Sequence, residues 1–108
     1  MFKISNEVRR LTNKEKDKYL KDGYLTGLPV FDEEAKDDLN DLFVSLSSRL
    51  SSNIDINQTN MWHKASLKFY NLCRTPAILD YVEDLLGPNF FQWGGQFFLK
   101  EPKDGSVV

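Results

Sequence analysis

The chain has 108 residues, of which 41% are hydrophobic and 28% are charged, with a formal net charge of −2, one His and one Cys. This length allows one small domain, or part of a larger one, and excludes a second independent core. One His and one Cys cannot supply the roughly four ligands of a structural zinc site or the two His of a facial iron triad. A single Cys also excludes an intramolecular disulfide, so a reducing compartment is expected.

Charge and hydropathy limit the partners of the chain. Its 14 Lys and Arg residues are interleaved with 16 Asp and Glu residues, as in residues 14–18. We therefore expect no nucleic-acid partner, because phosphate binding needs a basic surface. Residues 1–10 lack the apolar core of a signal peptide, and no apolar run in the chain approaches the ~18 residues of a membrane span. The sequence predicts a cytoplasmic protein without membrane contact.

The first predicted elements are a short helix and an irregular strand. Thr12 followed by Glu15 matches a capping box, and the chain then runs without Gly or Pro to Gly23, which predicts a surface helix. Residues 24–31 are rich in apolar and aromatic side chains but also contain turn formers. Because Pro29 cannot donate a hydrogen bond to a central ladder, we expect a short edge strand there.

Two amphipathic helices are predicted to supply the core. Asp32 is placed to cap the first, in which apolar residues recur every three or four positions from Ala35 to Leu50. The second is opened by Thr75-Pro76, with the hydroxyl as cap, and closed by Gly87-Pro88. A polar loop at residues 47–59 and a helical turn or two at residues 65–73 lie between them. The stripe expected to be buried on the second helix is Ile78, Leu79, Val82, Leu85 and Leu86.

The segment from Asn89 to Lys100 alternates between two faces. Phe91, Trp93, Gly95, Phe97 and Leu99 share one face, and Phe90, Gln92, Gly94, Gln96, Phe98 and Lys100 share the other. This period predicts a strand of about ten residues. Its polar face borders either a polar cavity or, as in many antiparallel sheets, solvent. A lone strand leaves its backbone groups unpaired, so this one needs partners. After a turn, residues 106–108 are expected to begin another strand.

Segments in a fixed order along the chain resemble the N-terminal third of the phytanoyl-CoA dioxygenase family. They are Leu11-Thr12 with Glu15 and Tyr19, Asp22 to Leu25, Pro76 to Asn89, and Phe97 to Gly105. That family comprises non-haem Fe(II), 2-oxoglutarate-dependent oxygenases built on a double-stranded β-helix, or jelly roll. The resemblance implies an α+β fold, in which residues 1–108 form a single partial domain with N-terminal helices and the first, incomplete strands of the jelly roll.

The resemblance also implies a cofactor cavity lined by residues 90–100. Gln96 matches a position that contacts 2-oxoglutarate in some relatives, and the alternation independently assigns it to the polar face. Thr59 lies in a segment that aligns with a cofactor-contacting loop, and His63 lies nearby, so both are further cofactor-binding candidates. A lone His is more often packed in a core, and that alternative stays open for His63. The other expected cavity-lining residues are Gln92, Phe98 and Lys100.

The iron ligands of the family, a His-x-Asp motif and a distal His, follow the segment that matches Glu101 to Val108, and His63 matches neither. The expectation is a chain that ends before them, with no catalytic residue, no metal ligand and no binding of Fe(II) or 2-oxoglutarate by itself. The first hypothesis is the N-terminal part of a dioxygenase that, when complete, uses both cofactors to hydroxylate a small organic substrate. The alternative is a non-catalytic α+β domain that acts through a partner strand or as a homo-oligomer joined at exposed strand edges.

Overall fold

A computed structural model of the chain describes residues 1–105, of which 48% are helical and 2% form β-bridges. The elements of this range are α1 (Asn13–Asp22), α2 (Glu33–Ser47), a 3₁₀ turn (Ile56–Gln58), α3 (Trp62–Ala65), α4 (Leu67–Cys73) and α5 (Pro76–Leu86). None of these helices has the length and apolar character needed to cross a bilayer. The strand expected at residues 106–108 lies outside the described residues.

The described residues contain no sheet, so the expected α+β fold with the first strands of a jelly roll is wrong. The edge strand predicted at residues 24–31 is reduced to one antiparallel bridge, between Ile4 and Phe31. Gly27 adopts a left-handed φ of 72°, and Pro29 has no N–H to donate. These two residues prevent the segment from continuing a regular ladder.

The long strand predicted at residues 89–100 is absent for a related reason. No neighbouring strand of the described residues pairs with this segment, so its backbone forms no ladder. From residue 95 to residue 100 the side chains nevertheless alternate, since the odd-numbered residues are half-buried and the even-numbered ones are exposed. The hydrophobic pattern thus determines which face packs on the helices, whereas a strand also requires a backbone partner.

The predictions of α1 and α2 are confirmed, and their capping residues explain where they begin. The Glu15 N–H donates to Thr12 Oγ1 at 3.2 Å, and the Thr12 N–H donates to the Glu15 carboxylate at 3.0 Å, which completes the capping box. Gly23 ends α1 with a left-handed φ of 83°. Asp32 caps α2 by accepting a hydrogen bond from the Ala35 N–H at 2.9 Å.

The helix α5 is confirmed, but its predicted cap and buried stripe are corrected. Thr75 Oγ1 donates to the Leu72 carbonyl at 2.7 Å and caps no N–H of α5. Leu86, which was expected to be buried, is 62% exposed. Tyr81 is buried in its stead, because its hydroxyl finds an acceptor in the Pro29 carbonyl at 2.8 Å. The other four residues of the predicted stripe are half-buried, and the fully covered face of α5 is that of Ala77 and Tyr81.

The core forms where α2, α3 and α4 meet residues 95–99. Phe97 packs edge-on against three rings, with centroid distances of 5.2 Å to Phe43, 5.4 Å to Phe69 and 6.1 Å to Trp62. Such aromatic pairs contribute about 0.5–1.5 kcal/mol each beyond the burial of area. Phe97 therefore anchors the extended segment on the helices. The buried members of this core are Leu42, Leu46, Ile56, Trp62 and Phe69.

Polar contacts join the N-terminal segment to α5. Asp84 accepts hydrogen bonds from the Leu11 N–H at 2.8 Å and from Arg10 Nε at 2.9 Å, and its side chain is only 6% exposed. Arg10 also forms an ion pair with Asp80 at 2.9 Å. The Leu11 N–H, and then Arg10, lower the pKa of Asp84 although burial opposes them. We refer to the contact among Arg10, Leu11 and Asp84 as the clasp.

Candidate functional site

The candidate site is an open depression beside the extended segment, with a volume of about 470 Å³. At least three other depressions on the described residues are as large or larger, so the lining residues and not the volume distinguish this one. Residues from the loop before α3 form one side, and the extended segment forms the other. The lining residues are Asn60, Met61, Trp93, Gly94, Gly95, Gln96 and Phe98.

Backbone contacts on either side of Gln96 hold the segment in place. The Trp62 N–H donates to the Gly95 carbonyl at 3.2 Å. Farther along, the Leu99 N–H donates to Asn57 Oδ1 at 2.6 Å, and Asn57 Nδ2 donates to the Leu99 carbonyl at 3.2 Å. The Asn57 side chain thus replaces one residue of a neighbouring strand. Gln96 faces outward into the depression because its neighbours in the chain face the helices.

Gly95 is required by the close approach of the segment to α3 and α4. A Cβ at this position would lie 2.8 Å from Phe69 Cε1, 3.1 Å from Gln92 Nε2 and 3.4 Å from His63 Nδ1. The first distance is too short for a real contact, so a larger residue would force the segment away from the helices. The same distances locate Gln92 and His63 on the inner side of the segment, behind the depression.

The structure separates Gln92 from Gln96, although the alternation assigned them to one face. Gln92 Nε2 donates to Cys73 Sγ at 3.1 Å and to the Gly94 carbonyl at 3.0 Å. Lys100 also lies outside the depression, where its Nζ donates to the Asp104 carbonyl at 3.2 Å. Of the candidate residues, only Gln96 and Phe98 line the depression.

Thr59 and His63 have different surroundings. Thr59 Oγ1 donates to the Ile56 carbonyl at 2.6 Å and accepts from Trp62 Nε1 at 3.0 Å, so the local fold uses both functions of this hydroxyl. His63 is half-buried, and its Nδ1 is buried without a hydrogen-bond partner among the described residues. His63 lies behind Gly95 and does not line the depression, so it does not match the expected cofactor-binding residue. Because its Nδ1 has no hydrogen-bond partner among the described residues, it does not match a fully hydrogen-bonded core histidine either.

Sequence reasoning missed two residues that line the depression, Met61 and Trp93, whereas Asn60 belongs to the loop around Thr59 that was expected to contact the cofactor. Met61 has a left-handed φ of 61°, which is unfavourable for a residue with a Cβ by roughly 1–2 kcal/mol. No sequence signal marks this conformation, because Gly or Asn would be the expected residue. Trp93 is 85% exposed. The only sequence feature that indicates its place at the depression is its position next to two glycines in an uncharged, aromatic-rich segment.

The depression can donate and accept hydrogen bonds and can stack on rings, but no charged side chain lines it. A dicarboxylate such as 2-oxoglutarate is bound best by a cationic partner, which these residues do not include. Within residues 1–105, no group of three His, Cys, Asp or Glu side chains is close enough to hold a metal ion. The described residues therefore offer no ligand set for Fe(II), and the depression offers no cation to a dicarboxylate.

No family model matches the chain, and neither the curated proteins nor the solved structures contain a significant match to it. The likeness to phytanoyl-CoA dioxygenases therefore rests on the ordered segments of the sequence alone.

Proposed function

We propose that this chain contributes a helical layer and one wall of the cofactor cavity to a cytosolic Fe(II)/2-oxoglutarate-dependent oxygenase related to the phytanoyl-CoA dioxygenases. The observation that carries the proposal is the orientation of Gln96. The resemblance assigns this residue to 2-oxoglutarate, and it faces an open depression on a segment that Phe97 and Asn57 anchor from behind.

The side chains available at the depression determine which parts of the cofactor this chain contacts and which parts other residues of the enzyme contact. Gln96 binds and orients 2-oxoglutarate through its side-chain amide, and Phe98, which is 67% exposed beside it, shields the cavity from water. The chain has a single His, so the residues that hold iron and the cation that neutralises 2-oxoglutarate belong to other parts of the enzyme. The reaction is the hydroxylation of a small organic substrate, and the 108 residues alone are inactive.

The first test is the nucleotide sequence of the transcript downstream of the codon for Val108. The proposal expects an open reading frame that soon encodes His-x-Asp and later a second His. A stop codon directly after Val108 would overturn it. Succinate production from Fe(II) and 2-oxoglutarate by the 108 residues alone would contradict the assignment of the iron ligands to other residues.

The second test uses the enzyme encoded by that frame. Gln96→Glu removes an amide donor and adds a negative charge beside a dianion, so the KM for 2-oxoglutarate should rise by roughly tenfold or more. Gln58→Glu is the matched control, because Gln58 is an exposed amide that does not line the depression. The measurement is succinate formation as a function of 2-oxoglutarate concentration. Equal KM values for the two variants would remove Gln96 from the cofactor site.

A further inference from the structure

Residues 90–98 have an inverse symmetry about Gly94. The residue types read outward from Gly94 are the same in both directions except at the first position. Phe90 matches Phe98, Phe91 matches Phe97, and Gln92 matches Gln96. The exception is the pair of Trp93 and Gly95. We propose that this segment pairs antiparallel with the same segment of a second copy of the chain, across a two-fold axis at Gly94. Such an isologous contact sets each residue opposite its counterpart in the symmetry.

The free backbone edge of the segment agrees with this register. Consecutive residues of an extended chain direct their N–H and C=O groups to opposite edges. The edge of Gly95 and Leu99 is occupied by Trp62 and Asn57. In the described residues, the N–H and C=O groups of the even-numbered residues Gln96 and Phe98 have no hydrogen-bond partner. A symmetry centred on Gly94 sets even-numbered residues opposite even-numbered residues, so the new hydrogen bonds form at this edge, where the Gly94 carbonyl would exchange its Gln92 Nε2 donor for an N–H of the second copy.

Exposed rings at one end of the segment complete the argument. The helices cover its second half, residues 95–99, but Phe91 and Trp93 are 79% and 85% exposed, with ring centroids 6.5 Å apart. In the proposed register, Phe91 lies opposite Phe97 of the second copy, and Trp93 lies opposite Gly95. Each copy would thus cover, with its own helices, the half that the other leaves exposed, and the indole of one copy would lie beside the Phe69 ring that packs on Gly95 of the other.

Charge also favours a second copy as the occupant. Residues 87–99 contain no charged side chain, and Lys100 falls opposite Pro88, so the symmetric pairing brings no like charges together. In the single chain, Trp93 lines the same depression as Gln96, which means that the segment changes face at Gly94. Pairing requires residues 92–94 to straighten and Gln92 to release Cys73 and the Gly94 carbonyl, and the adjacent Gly94 and Gly95 give the backbone the freedom to do so. This inference concerns the backbone edge and does not depend on the proposed oxygenase function.

The oligomeric state tests the pairing, and a disulfide tests its register. Sedimentation equilibrium of the purified chain should give a dimer, and a monomer at every concentration up to the high micromolar range would overturn the proposal. In a Cys73→Ala background, Gly94→Cys should form an intermolecular disulfide on mild oxidation, since opposed residues lie about 5.5 Å apart at this type of position. Gly105→Cys is the control, because Gly105 is exposed and lies off the axis. Equal cross-linking of both variants would overturn the register.

A proline at the free edge gives a second, independent test. Phe98→Pro removes only an N–H that has no partner in the single chain, and the ring it deletes is largely exposed. The variant should keep its helical circular dichroism, while the dimer dissociation constant rises by roughly tenfold or more through the two lost hydrogen bonds. Phe98→Ala, which retains the N–H, should weaken the dimer less. A Phe98→Pro variant as tightly dimeric as the original chain would contradict the edge assignment.

Discussion

Two contacts between distant parts of the chain have opposite physical character. The clasp joins Asp84 to residues 73 and 74 positions away through a carboxylate, a guanidinium and one backbone N–H. Residues 95–99 are held by the Asn57 amide, which lies 42 positions from Leu99, by the Trp62 N–H, and otherwise by packed rings. Arg10 is 51% exposed, so water and salt weaken its ion pairs, whereas the rings around Phe97 are shielded. The difference indicates that apolar packing, more than charge, determines whether the fold persists.

The largest effect is expected from Phe97→Ala. This substitution removes three ring contacts and leaves a cavity between the segment and the helices, so the free energy of unfolding should fall by about 3 kcal/mol. Urea denaturation followed by circular dichroism measures it. The neighbouring Phe98→Ala is the matched control, with an expected loss within about 0.5 kcal/mol, because Phe98 is 67% exposed. Similar losses for the two variants would show that the segment is not anchored through its odd-numbered face.

A smaller effect is expected from Asp84→Asn in the clasp. The neutral amide keeps one acceptor but loses the charge that binds Arg10 and the second accepting oxygen, so the variant should be about 1–2 kcal/mol less stable. Asp80→Asn is the control, since Asp80 is 47% exposed and its ion pair is expected to contribute only a few tenths of a kcal/mol. Urea denaturation at low and at high salt distinguishes them. If both variants lost the same free energy of unfolding, the hydrogen bond from the Leu11 N–H to Asp84 would contribute no more to stability than the exposed ion pair of Asp80.

The smallest effect is expected from the pH dependence of stability that Glu15 causes through its ion pair with Arg9, the residue before the clasp. Arg9 binds both carboxylate oxygens of Glu15, at 2.7 Å and 3.1 Å, and this contact, followed by the Thr12 N–H, lowers the pKa of Glu15 from 4.5 to about 2. Because the pKa is lower in the folded chain, the contribution of Glu15 to stability is present above about pH 4.5 and is lost as the pH falls towards 2.

The chemical shift of the Glu15 carboxyl carbon measures this titration directly. A midpoint near the ordinary value of 4.5 would show that Arg9 does not bind this carboxylate in solution. In Glu15→Gln, the decline of stability over the same pH interval should be shallower than in the original chain. Lys18→Gln serves as a control for charge removal elsewhere on α1, because its partner Asp22 lies at the opposite end of the helix.

The helix ends that depend on hydrogen bonds between residues close in the sequence were predicted correctly. The capping box of Thr12 and Glu15, the Asp32 cap and the glycine that ends α1 all form between residues at most four positions apart. Such contacts form in almost any surroundings, so α1, α2 and the bounds of α5 follow from the sequence. The outward direction of Gln96 followed as well, because Phe97 and Leu99 are apolar enough to select the buried face.

Features that depend on distant partners could not be predicted. Whether residues 89–100 form a strand depends on a neighbouring strand, and within the described residues the Asn57 amide is the nearest substitute. The inward direction of Gln92 depends on Cys73, and the engagement of Thr59 depends on the Trp62 indole in a left-handed turn at Met61. Alternation of side chains selects a face, but hydrogen bonds between remote segments decide whether that face belongs to a sheet, and these exist only once the chain has folded.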